Sequence, residues 1–298
     1  MEGFLDPRSD LVFRRIFGEH PDILLNFLNA LLPLDSPIVS LDYLPIDQMP
    51  MLPVFKRGIV DVKCVDEVGR QFIVEMQMQW TSAFLQRVLF NASQAYVKQL
   101  EQGEAFELLQ PVIALSLLND TFVKDSAEYY HHYRIVNVAE PQRRIEGLEF
   151  VFVELPKFRE SQPTEARRVR WAWLKFLRDA VGAGKQGQPS VERFSQETGI
   201  NPALKAALRI ARESNFSPAE RAAYDRFWLA VSTERTLIQG KTREALQQGL
   251  QQGLQQGLQQ GLQQGRVEGE QSGLQKALER LISAGMDPVE ARRILGLQ

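Results

Sequence analysis

Disulfide chemistry is closed to this chain. Its 298 residues hold one cysteine, Cys64, which excludes intramolecular disulfides and fits a reducing compartment. The neighbours of Cys64 supply no paired histidine, so it reads as a small buried residue rather than a nucleophile. A strong charge of either sign is also missing. Lysine and arginine total 35 against 37 acidic residues, a net charge of −2. Overall charge therefore gives nucleic-acid binding no support, although local patches stay open. No apolar run reaches the ~18 residues a membrane span requires, and no N-terminal stretch reads as a signal peptide. The expectation is a soluble, cytoplasmic protein without a membrane partner. What is present is apolar material, 44% of the residues. That suffices for one sizeable core, or a core plus a smaller helical region.

The most informative stretch is GIVDVKCVDEVGRQFIVEMQMQ, Gly58 to Gln79. Ile59–Val65 and Gln71–Met78 are β-branched and alternating, the pattern of two strands. A three-residue loop Glu67-Val68-Gly69 puts glycine where a left-handed conformation is needed. That loop sets Asp61 opposite Glu75 and Lys63 opposite Ile73. Asp61, Glu75 and Gln77 then share one face of the sheet. A shift of one residue would send Glu75 to the other face, so the turn decides the argument. Facing carboxylates repel by roughly 0.2–1 kcal/mol even when exposed. Such a pair is usually kept where a cation sits between them or one is protonated. Oxygen-only ligands suit Mg²⁺ or Mn²⁺. A solvated hairpin face with incidental acids is the other reading, and Asp-x13-Glu-x-Gln alone does not choose between them.

The rest of the chain reads as α/β. Asp10–Gly18 and Pro21–Leu32 are apolar helices, the first with Ser9 or Asp6 as candidate caps and Arg14 and Arg15 on its solvent side. Val39–Leu44 alternates weakly, and the proline- and methionine-rich Pro45–Pro53 reads as a loop. Ser82–Gly103 is a helix with a stripe of Leu85, Val88, Leu89, Ala92, Ala95, Tyr96 and Leu100. Pro111–Asn119 is an almost continuous apolar run, as in a strand buried on both faces, and it completes a strand–helix–strand crossover. Asp125–Val138 and Glu146–Leu155 alternate as two more strands. His131 and His132 are adjacent and so point to opposite faces, which argues against a shared metal. Val169–Ala180 carries Trp171, Trp173, Leu174, Phe176 and Leu177 as core residues. A glycine-rich linker follows at Gly182–Pro189, then two or three short helices through Ile238, with starts at Asn201-Pro202 and Ser217-Pro218. From Leu246 the tetrad Leu-Gln-Gln-Gly repeats through Gly265. A repeat of four drifts about 40° per step around a helix, and glycine costs roughly 0.8–1 kcal/mol per helical site. The repeat reads either as an oligomerisation arm that orders on association or as an unstructured linker. Gly273–Gln298 is a helical hairpin.

The order of these motifs resembles a known family. Asp61 on one strand with Glu75-Met76-Gln77 on the next is similar to the metal-binding core of the PD-(D/E)xK nuclease superfamily. DLVFRRIFG, PDILLNFLNALL, RVLFNASQAYVKQLEQGEAFELLQPVIALSLLN, LPKF and the glycine-repeat tail together resemble the Rpn family of recombination-promoting nucleases, also described as transposases. The usual lysine of E-x-K is Gln77 here, and the Rpn family resembles this chain in having glutamine there.

The resemblance implies a restriction-endonuclease-like α/β fold, a mixed sheet flanked by helices, followed by a helical C-terminal region and a glycine-repeat tail. Residues 1–160 would form the nuclease core, 161–238 the helical region and 239–298 the tail and terminal helices. The implied function is metal-dependent DNA cleavage linked to recombination or mobile elements, with Mg²⁺ (or Mn²⁺) held by Asp61 and Glu75. Gln77 would orient water or touch the phosphate. Arg87 and Gln94, on the helix after the E-x-Q strand, are candidate phosphate contacts, and Asp10 in the first helix is a secondary candidate near the metal. Expected partners are DNA and, through the repeat, further copies of the chain. The competing expectation is an inactive, nuclease-like interaction protein that oligomerises through its tail.

Overall fold

The computed structural model describes residues 4–44, 61–79, 81, 83–159, 164, 167–179 and 201–297. The loop expected at 45–53, the start of the first hairpin strand at 55–60 and the linker at 182–189 lie outside the described residues. The chain divides into two compact units, Met1–Thr233 and Glu234–Gln298.

In the first unit, Asp10–Phe13 forms α1 and continues as a π-helical turn, Arg14–Gly18. Ser9 occupies the N-cap position, but its hydroxyl donates to the Asp6 carbonyl instead of capping the helix. The Asp6 carboxylate is taken by Arg8. Pro21–Leu31 forms α2, started by a proline whose missing N–H costs nothing at that position. It ends where Leu32 turns extended ahead of Pro33. Six strands form one mixed sheet: β1 (Leu41–Tyr43), β2 (Asp61–Asp66), β3 (Gln71–Gln77), β4 (Val112–Leu118), β5 (Tyr130–Val136) and β6 (Arg144–Glu154). Their order is β1-β2-β3-β4-β6-β5. The β2–β3 hairpin is antiparallel. The strand β4 runs parallel to both β3 and β6, with α3 (Phe84–Val97) as the crossover between β3 and β4. All seven residues of β4 are buried, as a central parallel strand requires.

The two faces of the sheet bury different partners. One face packs Phe72, Val74, Met76, Leu115, Leu117, Val151 and Val153 against α1, α2 and α4 (Arg168–Asp179). The tryptophans of α4 are core residues, as expected: Trp173 sits 5.3 Å from Phe27 and 5.7 Å from Phe17, and its indole N–H donates to Asn26 at 2.9 Å. The other face packs Ile73, Val112, Ala114, Leu118 and Phe152 against Phe84, Val88, Ala92 and Ala95 of α3. This corrects the expected phase of that helix. Leu85 and Leu89 are 40% and 50% exposed, and the buried stripe is turned toward Phe84 and the two alanines. Small residues let the helix lie close to the sheet, which longer leucines would prevent.

A short helix, α5 (Pro202–Ile210), is capped by Asn201, whose side chain accepts from the Ala203 and Leu204 N–H groups. The next helix, α6 (Pro218–Ser283), opens on a capping box: Glu220 accepts from the Ser217 N–H and hydroxyl, and the Ser217 hydroxyl accepts from the Glu220 N–H. The starts at Asn201 and Ser217 are where they were expected. The helix that starts at Ser217, expected to be short and to end by Ile238, is instead one helix of 66 residues that runs through the repeat. Leucine and glutamine favour helix strongly enough to carry the intervening glycines. Within the second unit the five repeat leucines, from Leu246 to Leu262, are 65–75% exposed. A last helix, α7 (Pro288–Ile294), is capped by Asp287. Among the described residues no helix is long and apolar enough to cross a membrane.

Candidate active site between β3 and α3

The β2–β3 turn fixes the register on which everything else depends. Asp66 Oδ1 accepts from the N–H groups of Val68 (3.1 Å) and Arg70 (2.8 Å), while Oδ2 takes Arg70 Nε at 2.6 Å. Gly69 has φ +87°, and a Cβ there would meet Gln110 Cγ at 3.0 Å. Only glycine suits both the backbone and the space. With the turn so pinned, Asp61 pairs with Glu75 and Lys63 with Ile73. The side chain of Asp61 lies outside the described residues; its backbone opposes Glu75.

Glu75 and Gln77 are both buried and both face α3. Asn91 Nδ2 donates to Glu75 Oε1 at 3.0 Å, and Arg87 Nη2 donates to Gln77 Oε1 at 2.6 Å. The match is geometric. Two residues along a strand rise about 6.6 Å, and four along a helix rise about 6 Å, so the pairs 75/77 and 91/87 meet as rungs of a ladder. Gln77 also donates through Nε2 to the Gln79 carbonyl at 2.6 Å, so both ends of its amide are engaged within the protein. Gln79 in turn donates to the Val231 carbonyl of α6 at 2.8 Å. The Arg87 guanidinium lies over the Phe84 ring, 5.3 Å from its centroid.

Three buried atoms in this layer have no hydrogen-bond partner among the described residues: Glu75 Oε2, Arg87 Nε and Ser116 Oγ. Ser116 is level with Glu75 on the neighbouring strand β4. Buried polar groups are normally paired, so this concentration marks the site apart from the rest of the core.

The other expected residues are dispersed. Gln94 is half-buried further along the same polar face of α3. Asp10 opens α1; burial raises its carboxyl above the ordinary value against the pull of Arg14. Among the described residues no hydrogen bond joins Asp10 to Glu75. Arg14 is exposed, while Arg15 pairs with Glu220 at 3.4 Å and lies over the Phe216 ring. Cys64 is fully buried, and burial pushes its thiol up to about 12, which keeps it inert at neutral pH. His131 and His132 part to different acids, Glu154 at 3.0 Å and Glu149 at 2.7 Å.

Two residues of the site were not foreseen. Asn91 continues the row Arg87, Gln94, Lys98 at helical spacing, a signal present in the sequence. Ser116 is the one polar residue in the run VIALSLL, and a lone hydroxyl in a strand buried on both faces was the clue.

Among the described residues no three acidic, histidine or cysteine side chains gather as a metal cluster. The oxygen donor left over is Glu75 Oε2, with the Asp61 backbone opposite it. An unpartnered buried carboxylate oxygen is a donor that suits a hard divalent cation. A family model described as PD-(D/E)XK nuclease family transposase matches residues 7–236. The chain belongs to this family. The PD-(D/E)XK match contains the whole ladder of β3 and α3 and ends close to the boundary of the first compact unit at Thr233. Most of the glycine-repeat helix lies beyond it. No curated protein and no solved structure matches the chain. Membership fits the restriction-endonuclease-like sheet and a nuclease function tied to mobile elements.

Proposed function

We propose that the protein is a metal-dependent DNA endonuclease that hydrolyses phosphodiester bonds in recombination or mobile-element movement, working in the cytoplasm. The observation that carries this reading is the pairing of Asp61 with Glu75 together with the buried, unpartnered Glu75 Oε2. Asp61 and Glu75 would hold Mg²⁺, with Mn²⁺ as a substitute. When bound, the cation lowers the pKa of a water and offsets charge on the scissile phosphate.

The remaining roles fall to the protein's own groups. Asn91 fixes one oxygen of Glu75 and so aims the other. Gln77 spends its amide on Arg87 and the Gln79 carbonyl, and acts by holding Arg87. The Arg87 guanidinium then supplies the positive charge that a lysine at position 77 would bring, in a fork suited to phosphate oxygens. Gln94 and Asp10 are outlying candidates, for phosphate contact and for the neighbourhood of the metal.

The test is conversion of supercoiled plasmid to nicked or linear DNA with Mg²⁺, Mn²⁺ or EDTA. Cutting that requires metal and is lost in Asp61→Ala supports the proposal; undiminished cutting by Asp61→Ala sinks it.

A second reading rests on the second unit. Five leucines, 65–75% exposed, stand in a repeat without charge, as expected of an arm that associates with further copies of the chain. On this reading the nuclease-like unit need not cut. Light scattering of the full chain against a variant with all five leucines replaced by glutamine separates the two: an unchanged mass removes the role of the repeat.

A further inference from the structure

The buried serine of β4 has no structural task that accounts for it. Every other residue of Val112–Leu118 is apolar, and alanine would fill the space of Ser116 without its hydroxyl. Ser116 is 1% exposed, Glu75 is 2% exposed, and the two are direct partners in the parallel β3–β4 register. Partners on adjacent strands project from the same face about 4.8 Å apart at the backbone. Both therefore point into the layer under α3, where Asn91 already holds the other oxygen of Glu75. Among the described residues Ser116 Oγ and Glu75 Oε2 are each buried and unpartnered, and no direct hydrogen bond joins them. Two such groups, one a donor and one an acceptor, at partner positions of adjacent strands and without a direct hydrogen bond, are of the kind that one bridging water joins.

We propose that Ser116 is a positioning residue of the site: its hydroxyl, through one water, orients the free oxygen of Glu75 toward a divalent cation. The proposal rests on the metal-dependent reading above. It assigns no contact between Ser116 and DNA. Outer groups that orient a metal-binding carboxylate typically change affinity 10–100-fold when removed.

The experiment is thermal denaturation of the full-length protein across a Mn²⁺ titration, for wild type, Ser116→Ala and Ser116→Thr. A ligand at free concentration L that binds the folded state stabilises it by RT ln(1 + L/Kd), so the melting temperature keeps rising with ligand concentration and the rise starts at higher concentration when binding is weaker. In the absence of metal, Ser116→Ala is expected to melt within about 2 °C of wild type or higher, because it removes a hydroxyl with no protein partner. The Mn²⁺ concentration needed to reach the same rise in melting temperature should increase about 10-fold. Ser116→Thr, which keeps the hydroxyl, should return to within about threefold of wild type. A merely structural serine would give the reverse, a lower melting temperature without metal and an unchanged Mn²⁺ dependence, and that result overturns the proposal. If wild type responds to Mn²⁺ and Ser116→Ala responds identically, only the role of Ser116 falls. If wild type shows neither a Mn²⁺ shift nor cleavage, the metal-dependent reading falls, and the role of Ser116 falls with it.

Discussion

Two glutamates lie buried on the same face of one sheet, and the fold treats them in opposite ways. Glu154 ends β6 level with Leu118 and Gln77, so it stands two strands, about 10 Å, from β3. Its carboxylate is completely satisfied. Oε1 accepts from the N–H groups of Phe122 (2.5 Å) and Val123 (3.1 Å), and Oε2 accepts from His131 and from Lys157. Lys157 also donates to the Val123 carbonyl at 2.5 Å, which closes the cluster on itself. Among the described residues Glu75 has one partner, Asn91, and one free oxygen, level with a serine that is also unpaired. A buried acid with every lone pair engaged is a structural clamp. A buried acid left half-open adds nothing comparable to stability, and on the proposed function its free oxygen is the one that holds a cation.

Breaking the clamp gives the largest expected effect. Glu154→Ala strands a lysine, a histidine and two backbone N–H groups, and should cost about 3–5 kcal/mol in unfolding free energy measured by denaturant titration. A cost below about 1 kcal/mol would erase the contrast. Next comes Arg87, the cation one rung along the ladder from the open acid. Arg87→Met should lower plasmid cleavage by about 100-fold, and Arg87→Lys should recover only part of it because an ammonium lacks the planar fork.

A smaller effect appears with pH. Burial pushes the Glu154 carboxyl up, but the hydrogen bonds from Lys157, His131 and the two N–H groups outweigh it and hold the group below its ordinary value of 4.5. A depressed carboxylate contributes stability that is fully present above the unfolded value and is lost as pH falls through the folded one. The melting temperature of wild type should therefore drop more steeply below about pH 4.5 than that of Glu154→Gln. Parallel acid limbs would contradict the clamp. The smallest expected effect is on the other side of the comparison: Glu75→Gln should change stability by less than about 1 kcal/mol, in either direction.

Why was the open acid legible in the sequence when the ladder beneath it was not? The register of Asp61 and Glu75 follows from local facts: alternation on both strands and a glycine at the one loop position that needs φ +87°. The buried strand β4 and the aromatic face of α4 were equally readable, since their apolar patterns answer to one element at a time. Asn91, Ser116 and the engagement of Gln77 answer to two elements at once. Which residues of α3 meet β3 depends on how the helix is rotated. A stripe count favoured Leu85 and Leu89, whereas close approach through Ala92 and Ala95 turned Arg87 and Asn91 inward. The length of α6 escaped for a related reason. Its start at Ser217 is a local hydrogen-bond pattern, while its passage through the glycine repeat is a sum of small preferences over many turns.

The most direct measurement is cleavage and melting on the same preparations of wild type and Glu75→Gln, each with Mg²⁺ and with EDTA. The open-acid account predicts metal-dependent cutting by wild type, its loss in Glu75→Gln, and nearly equal melting temperatures for the two proteins in EDTA. Cutting by Glu75→Gln at the wild-type rate would contradict it.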